Sequence, residues 1–288
     1  MHELKLEAQK QWDRDPCGAN SGDNYTQGSL QFFEAVRDHR YGTYAPWMPK
    51  AIGFGHFSGK KLLEIGPGLG TDLLQFASSG ARTYAVDLAR RHLELTQRNL
   101  GMHGYAVPCA LGDVEALPFK DGVLDCVYGF GVLHHTPNIE VAVAEIHRVL
   151  KAGGRVIVGL YHRDSAYYWV TTILFRGMFL MGLARKGYRR LMSEIEFRSR
   201  ESEAMPLVRV YSRTEVRRLF ERFRKTEIRT WHLEYNHFFP VRRISRLWAR
   251  WTGDERFGKI SETLPHGRGF VEKLARFVGW YLVVKAEK

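Results

Sequence analysis

The chain has 288 residues, 44% of them apolar and 26% charged. That is ordinary globular composition, enough for two average domains or one α/β domain with insertions, and it rules out disordered, collagen-like and disulfide-dense proteins. The net charge of +12 is unevenly spread: residues 1–150 carry 14 basic against 17 acidic side chains, and residues 151–288 carry 29 against 14. A basic half of this kind suits an anionic substrate, a nucleic acid or an anionic membrane surface, or only the solvated faces of amphipathic helices.

Residues 1–57 lack strand patterning and are punctuated by aromatics, proline and glycine, as in Tyr41-Gly42-Thr43-Tyr44-Ala45-Pro46. They read as a helical lid segment ahead of the sheet. No apolar signal region follows Met1, and Cys17, Cys109 and Cys126 form no C-x-x-C pair, so a cytoplasmic setting is expected. From residue 58 short apolar runs alternate with helix-period segments, the pattern of βα units around a parallel sheet. Strands are expected at 61–65, 82–86, 105–111, 123–128 and 155–160. Helices are expected at 70–78 and 89–100, and a third, capped by Thr136, is stopped by Gly153-Gly154.

After Tyr161 the rhythm breaks. Residues 162–211 read as a helical insertion capping a substrate site. Residues 212–288 complete the core, with a capping box at Ser212 and Glu215, strands at 225–233 and 277–285, and a second insertion at about 234–276. The run 167–183 (YYWVTTILFRGMFLMGL) is the most apolar stretch. It is too short to span a bilayer and contains Arg176, so it reads as a cap helix, or alternatively as a helix lying on a membrane surface.

The chemistry gathers at strand ends. Leu63-Glu64-Ile65-Gly66-Pro67-Gly68-Leu69-Gly70-Thr71-Asp72 is a glycine-rich turn between a strand and a helix, where backbone can approach a ligand and the helix offers free N–H groups. It departs from the dinucleotide fingerprint G-x-G-x-x-G, because Thr71 stands in the third glycine's place. Asp87 ends the second strand, where open α/β sheets hold a ribose. Asp113 follows the third strand in Gly112-Asp113-Val114-Glu115-Ala116-Leu117-Pro118-Phe119, and Phe130-Gly131-Val132-Leu133-His134-His135 follows the fourth.

This ordered set resembles the class I S-adenosylmethionine-dependent methyltransferases, closely over residues 60–161 and loosely beyond. The resemblance implies a Rossmann-like seven-stranded sheet, mostly parallel with the last strand antiparallel and helices on both faces. It implies S-adenosylmethionine as cofactor and no metal. Glu64 and the Gly66, Gly68 and Gly70 backbone, with Thr71 and Asp72, would lie near the methionine amino and ribose portions. Asp87 would accept the ribose hydroxyls, Leu88 and Val114 would pack on the adenine, and Asp113 would accept from its amino group. Phe130 and Gly131 would surround the methionine part. Pro67 stands where many relatives have Cys or Ser, which leaves the glycines in register.

Methyl transfer needs the acceptor positioned and, for a hydroxyl or ammonium, deprotonated. His134 and His135 are candidate bases, with loop geometry as the alternative role, and His162 follows them. Tyr161 and Tyr41, with His135, are candidate substrate contacts, while Tyr25 and Tyr44 are possible lid aromatics. His134-His135 lacks a spaced carboxylate or cysteine set, so no metal site is expected. A small-molecule or lipid-like acceptor is the leading reading. Arg213, Arg217, Arg218, Arg222, Arg224, Arg242, Arg243, Arg246 and Arg250 suggest RNA or DNA as the second, and a non-catalytic cofactor-binding subunit is the third. An anionic membrane surface is a possible partner, which would make the protein peripheral to the inner membrane face.

Overall fold

The computed structural model describes residues 2–196, 205–234, 237, 248–254 and 270–288. Most of the second expected insertion, including Arg242, Arg243 and Arg246, lies outside the described residues. Seven strands, β1 (Lys61–Ile65), β2 (Arg82–Asp87), β3 (Cys109–Leu111), β4 (Leu124–Phe130), β5 (Leu150–Tyr161), β6 (Lys225–Trp231) and β7 (Tyr281–Glu287), form one sheet in the order β3-β2-β1-β4-β5-β7-β6. β1 to β5 pair in parallel, and β7 runs antiparallel to both β5 and β6.

Alternation along each strand feeds two cores. Leu63, Val127, Val156 and Val158 pack with Ile146, Val216 and Phe220, whereas Leu62, Cys126, Ile157 and Val283 pack with Phe76, Leu73 and Met48. Because neighbouring side chains enter opposite faces and both faces are covered, the strands read as unbroken apolar runs. Truncating Leu62 or Leu63, each fully buried, to alanine costs about 2–5 kcal/mol.

Ahead of the sheet lie α1 (His2–Arg14), α2 (Leu30–Asp38), whose end widens into an i→i+5 turn at His39–Tyr44, and α3 (Met48–Ile52). The crossovers are α4 (Thr71–Ser78), α5 (Arg90–Met102) and α6 (Ile139–Val149). A second i→i+5 helix, Tyr167–Phe179, precedes α7 (Gly182–Ser193), which is kinked at Gly187. α8 (Arg213–Leu219) has both halves of the Ser212–Glu215 capping box, and α9 (Phe270–Val278) leads into β7.

Several boundaries differ from the sequence pattern, each for a local reason. β3 begins only at Cys109, because Pro108 has no N–H for the ladder, although its carbonyl still accepts from the Ala85 N–H at 3.0 Å. β5 begins at Leu150, so Gly153-Gly154 does not stop α6 but sits in a bulge where the pairing jumps from Leu124–Leu150 to Cys126–Arg155. Thr136 does not cap α6: its hydroxyl donates to Glu115, whose carboxylate also accepts from the Asn138 backbone and side chain at 2.9 Å each. β6 stops at Trp231 as His232 turns to φ 67, and β7 starts at Tyr281 because residues 277–278 still belong to α9. The apolar run 167–183 is not one helix, since Met181 at φ 55 separates it from α7. Among the described residues no helix is long and apolar enough to cross a membrane.

Candidate functional site

One cavity of about 320 Å³ opens over the carboxyl ends of β1, β2 and β4, within the size range of small-molecule sites. Of the residues singled out in the sequence, Glu64, Gly66, Gly68, Thr71, Asp72, Asp87, Leu88, Asp113, Val114, Phe130, Gly131, His135 and Tyr161 line it. Gly66 is held at φ 63, and a Cβ there would stand 2.3 Å from a methyl carbon of Val132, so only glycine leaves this wall open. Gly70 does not line the cavity. At φ 72 it sits 3.1 Å, measured from a hypothetical Cβ, from the Thr96 backbone, and so lets α5 pack tightly on the turn.

The cavity floor is acidic. Glu64, 3% exposed, has one carboxylate oxygen with no hydrogen-bond partner. Burial first, then the neighbouring Asp72, pushes its pKa well above the ordinary 4.5, against the opposing Arg40. Asp72 is equally buried but paired: Arg40 donates through Nε at 2.6 Å and through a terminal nitrogen at 2.5 Å, and the Tyr128 and Tyr41 hydroxyls donate at 2.6 and 2.7 Å. Burial opposes ionisation of Asp72, but the guanidinium and the hydroxyls outweigh it and keep the pKa below the ordinary value. Two carboxyls on one floor are thus driven apart by their partners.

Arg40 carries no sequence motif. The wide turn after α2 places it in the cavity wall, with its guanidinium carbon 5.8 Å from the Phe130 ring centre. Tyr41, expected beside a substrate, does not line the cavity; its hydroxyl serves Asp72 instead. Tyr44 does line it, while Tyr25 is exposed and apart from it.

Asp87 accepts from the Ala89 N–H at 2.8 Å with one oxygen and meets His92 Nδ1 at 2.9 Å with the other. Asp113 accepts from Lys5 at 2.6 Å, and Lys5 also pairs with Glu115 at 2.6 Å. This holds α1 against the cavity, where Trp12 meets the rings of His92 and His135. Asp13 adds a bond from the Arg91 N–H at 3.0 Å. Glu115 is drawn down to about 2: burial works against this, and the bonds from Lys5, Thr136 and Asn138 overcome it.

The three histidines diverge. His135 lies in the wall, and because its Nδ1 is 2.6 Å from the Leu207 carbonyl, Nδ1 carries the proton and Nε2 is the acceptor. Nε2 stands 4.0 Å from Glu196, which accepts the Tyr161 hydroxyl at 2.7 Å on its other oxygen. His134 is fully buried behind the wall and stacked on Tyr161 at 3.8 Å, with neither ring nitrogen hydrogen-bonded. Burial and the adjacent His135 hold it well below the ordinary histidine pKa, hence neutral. His162 does not face the cavity either: its Nδ1 is bonded to the Gly279 carbonyl at 3.0 Å. Successive residues of an extended strand point to opposite sides, so Tyr161 and His162 cannot share this wall.

Glu196, which sequence spacing gave no reason to choose, supplies the carboxylate that His134-His135 lacks in the sequence. Ligand atoms of His134, His135 and Glu196 lie within 4.8 Å of one another, a set that can hold a divalent cation. Tyr161 already occupies one Glu196 oxygen, whereas its stacking on the His134 ring leaves both in-plane ring nitrogens without a hydrogen-bond partner. Among the described residues of the basic set, Arg213 donates to Thr230 and to the Arg276 carbonyl, and Arg224 to Glu287, at the far edge of the sheet, and none of them lines the cavity.

The strand order, the reversed β7 and a cavity at the β1–β4 ends define the class I methyltransferase fold. Residues 63–158 match the model of the methyltransferase domain family. The chain is similar to the sterol 4-C-methyltransferase of Caenorhabditis elegans (34% identity, 33% of this chain and 29% of that protein). It is also similar to the demethylmenaquinone methyltransferase of Streptomyces avermitilis (35% identity, 34% and 41%). The chain thus spans about a third of the length of the curated relatives it matches. The phosphoethanolamine N-methyltransferase 2 of Haemonchus contortus, solved with phosphomonomethylethanolamine and S-adenosylhomocysteine, superposes with a TM-score of 0.58 at 15% identity. That match covers 97% of this chain and 60% of that one, and it is a likeness of fold.

Proposed function

We propose that the cavity binds S-adenosylmethionine and that the protein transfers its methyl group to a nucleophile on a small-molecule or lipid-like acceptor. The carrying observation is the row of carboxylates Glu64, Asp87 and Asp113 at successive strand ends around one cavity, with a buried Glu64 oxygen left without a partner. A phosphate-bearing cofactor would be repelled by such a floor, whereas a cationic nucleoside meets its needs. Glu64 would receive the positively charged end, Arg40 the methionine carboxylate, and Asp87 the ribose hydroxyls, since each carboxylate oxygen has a lone pair beyond its present bond. Asp113 with Val114 and Leu88 would hold the base.

Bound there, the cofactor supplies a methyl group on a sulfonium with a good leaving group. The chain's own residues do the rest. The α1 lid, clamped by Lys5, keeps water from the cavity and so strengthens every charge interaction inside it. His135 Nε2 takes the acceptor's proton, and Glu196, 4.0 Å away, stabilises the imidazolium that results. Tyr161, backed by the buried His134 stacked on it, fixes the His135 loop in the wall. The relatives that act on a sterol and on demethylmenaquinone support an apolar acceptor.

Calorimetric titration with S-adenosylmethionine tests the reading. The wild type should bind, and Asp87→Ala should weaken binding by about tenfold or more, the worth of hydrogen bonds to a charged acceptor. No binding by the wild type overturns the proposal, and unchanged affinity in the variant overturns the ribose assignment.

A further inference from the structure

The hairpin formed by the Tyr167–Phe179 helix and α7 has a base and a tip of opposite character. At the base, Tyr168 and Met192 are buried against Tyr161 and Trp280, and the chain leaving α7 puts Ile195 and Glu196 into the cavity wall. At the tip, Met178 is 61% and Phe179 76% exposed, next to exposed Leu180 and Met181. In a helix bonded i→i+5, residues four or five apart share a face, and Trp169 and Leu174 extend the exposed stripe from the tip. Of sixteen exposed large apolar side chains among the described residues, seven fall within residues 169–188. Single exposed apolar residues need no explanation, but a contiguous patch on a projecting hairpin does.

The charge beside the patch says what covers it. α7 contains Arg185, Lys186, Arg189 and Arg190 and no acidic residue. Glu194, just beyond its end, receives Arg176, Lys186 and Arg190, while Arg185 and Arg189 make no ion pair among the described residues. Large apolar side chains flanked by uncompensated arginines match a surface that is oily inside and negative at its boundary. The thirteen-residue helix is too short to cross a bilayer about 30 Å thick, so it can only lie in the boundary layer.

We infer that the Met178–Met181 tip of this hairpin inserts into the interfacial layer of an anionic lipid bilayer. Arg185 and Arg189 contact the headgroups, and the cavity wall at Tyr161, Ile195 and Glu196 is turned toward the membrane. Docking stands on the hairpin alone; delivery of a membrane-borne acceptor to the cavity rests on the methyl-transfer reading.

Flotation with vesicles of phosphatidylglycerol and phosphatidylcholine, and with vesicles of phosphatidylcholine alone, tests the inference on the full chain. The wild type should float with the anionic vesicles, lose much of that binding in high salt, and bind neutral vesicles weakly. The double variant Met178→Ser/Phe179→Ser should partition about tenfold less or lower, as expected for withdrawing two large apolar groups. Arg185→Gln/Arg189→Gln should lose the preference for anionic over neutral vesicles. Titration of the same samples with S-adenosylmethionine separates the two readings: retained binding shows that the variants fold and that the cavity is independent of the tip. No flotation of a wild type that binds the cofactor overturns docking while leaving the cavity assignment in place. Equal flotation of the tip variant overturns the assignment to this hairpin. Self-association abolished by the tip variant, without vesicle binding, would make a second copy the occupant and overturn it as well.

Discussion

The cavity has two walls of different origin. The wall from β1, β2 and β3 carries its carboxylates within two positions of a strand end, Glu64 one before the end of β1, Asp87 the last of β2 and Asp113 two beyond β3, so they arrive together as soon as the parallel sheet forms. The opposite wall draws Arg40 from the turn after α2, His135 from the loop after β4, Tyr161 from the end of β5 and Glu196 from beyond α7. The first wall is fixed by local backbone geometry and suits an unchanging ligand. The second depends on long-range packing and is where the chain has room to define its own acceptor.

If that division is correct, the heaviest loss of stability should come from the side chain that ties the two walls together. Arg40→Leu leaves Asp72 buried with only two hydroxyl donors and Glu64 nearby. It should destabilise the protein by about 3–5 kcal/mol, the cost of stripping a buried carboxylate of its cation. Denaturant unfolding of the ligand-free chain measures this, and a loss below about 1 kcal/mol would show that the pair is not what joins the walls. A change confined to the second wall should act differently. His135→Ala should lower kcat about 100- to 1,000-fold while S-adenosylmethionine affinity stays within about twofold. Parallel losses of both would put His135 in the cofactor wall. Glu196→Gln should reproduce part of the kcat effect and shift its pH profile, because it acts through His135.

The legibility of the sequence follows the same division. Strand periodicity and the glycine turn located the sheet and the first wall, since both are patterns of near neighbours. Glu64, Asp87 and Asp113 could be chosen because a strand end is recognisable and an acid there has few structural duties. Arg40 and Glu196 could not be chosen: one lies in a segment without periodicity, the other follows a helix some sixty residues from the histidine it faces. Tyr41 and His162 were attractive only as residue types. The register that turns the Tyr41 hydroxyl to Asp72 and His162 to the Gly279 carbonyl is set by packing partners far away in the chain. The early start of β5 was hidden for a similar reason, because a glycine pair that ends helices in general here forms a bulge against Leu124.

The smallest of these effects isolates Glu64. Its pKa in the folded chain lies well above the ordinary 4.5 because burial and Asp72 disfavour the anion. Its contribution to folding is therefore full below about 4.5 and is lost as pH rises through the raised value. Glu64→Gln, which stays neutral, should be more stable than the wild type at neutral pH. A cationic ligand reverses the preference: the carboxyl must ionise to meet it, and a proton is released on binding. The Kd for S-adenosylmethionine should then fall as pH rises from 4.5, by at most about tenfold per pH unit, and level off above the raised pKa. Calorimetry in buffers of different ionisation enthalpy should register the released proton in the wild type and not in Glu64→Gln, whose affinity should follow pH less steeply. The same slope in both proteins would assign the proton to another group and remove Glu64 from the cation's surroundings. A slope that disappears with the carboxylate would tie a cost in stability to the acidic floor that the first wall presents to its ligand.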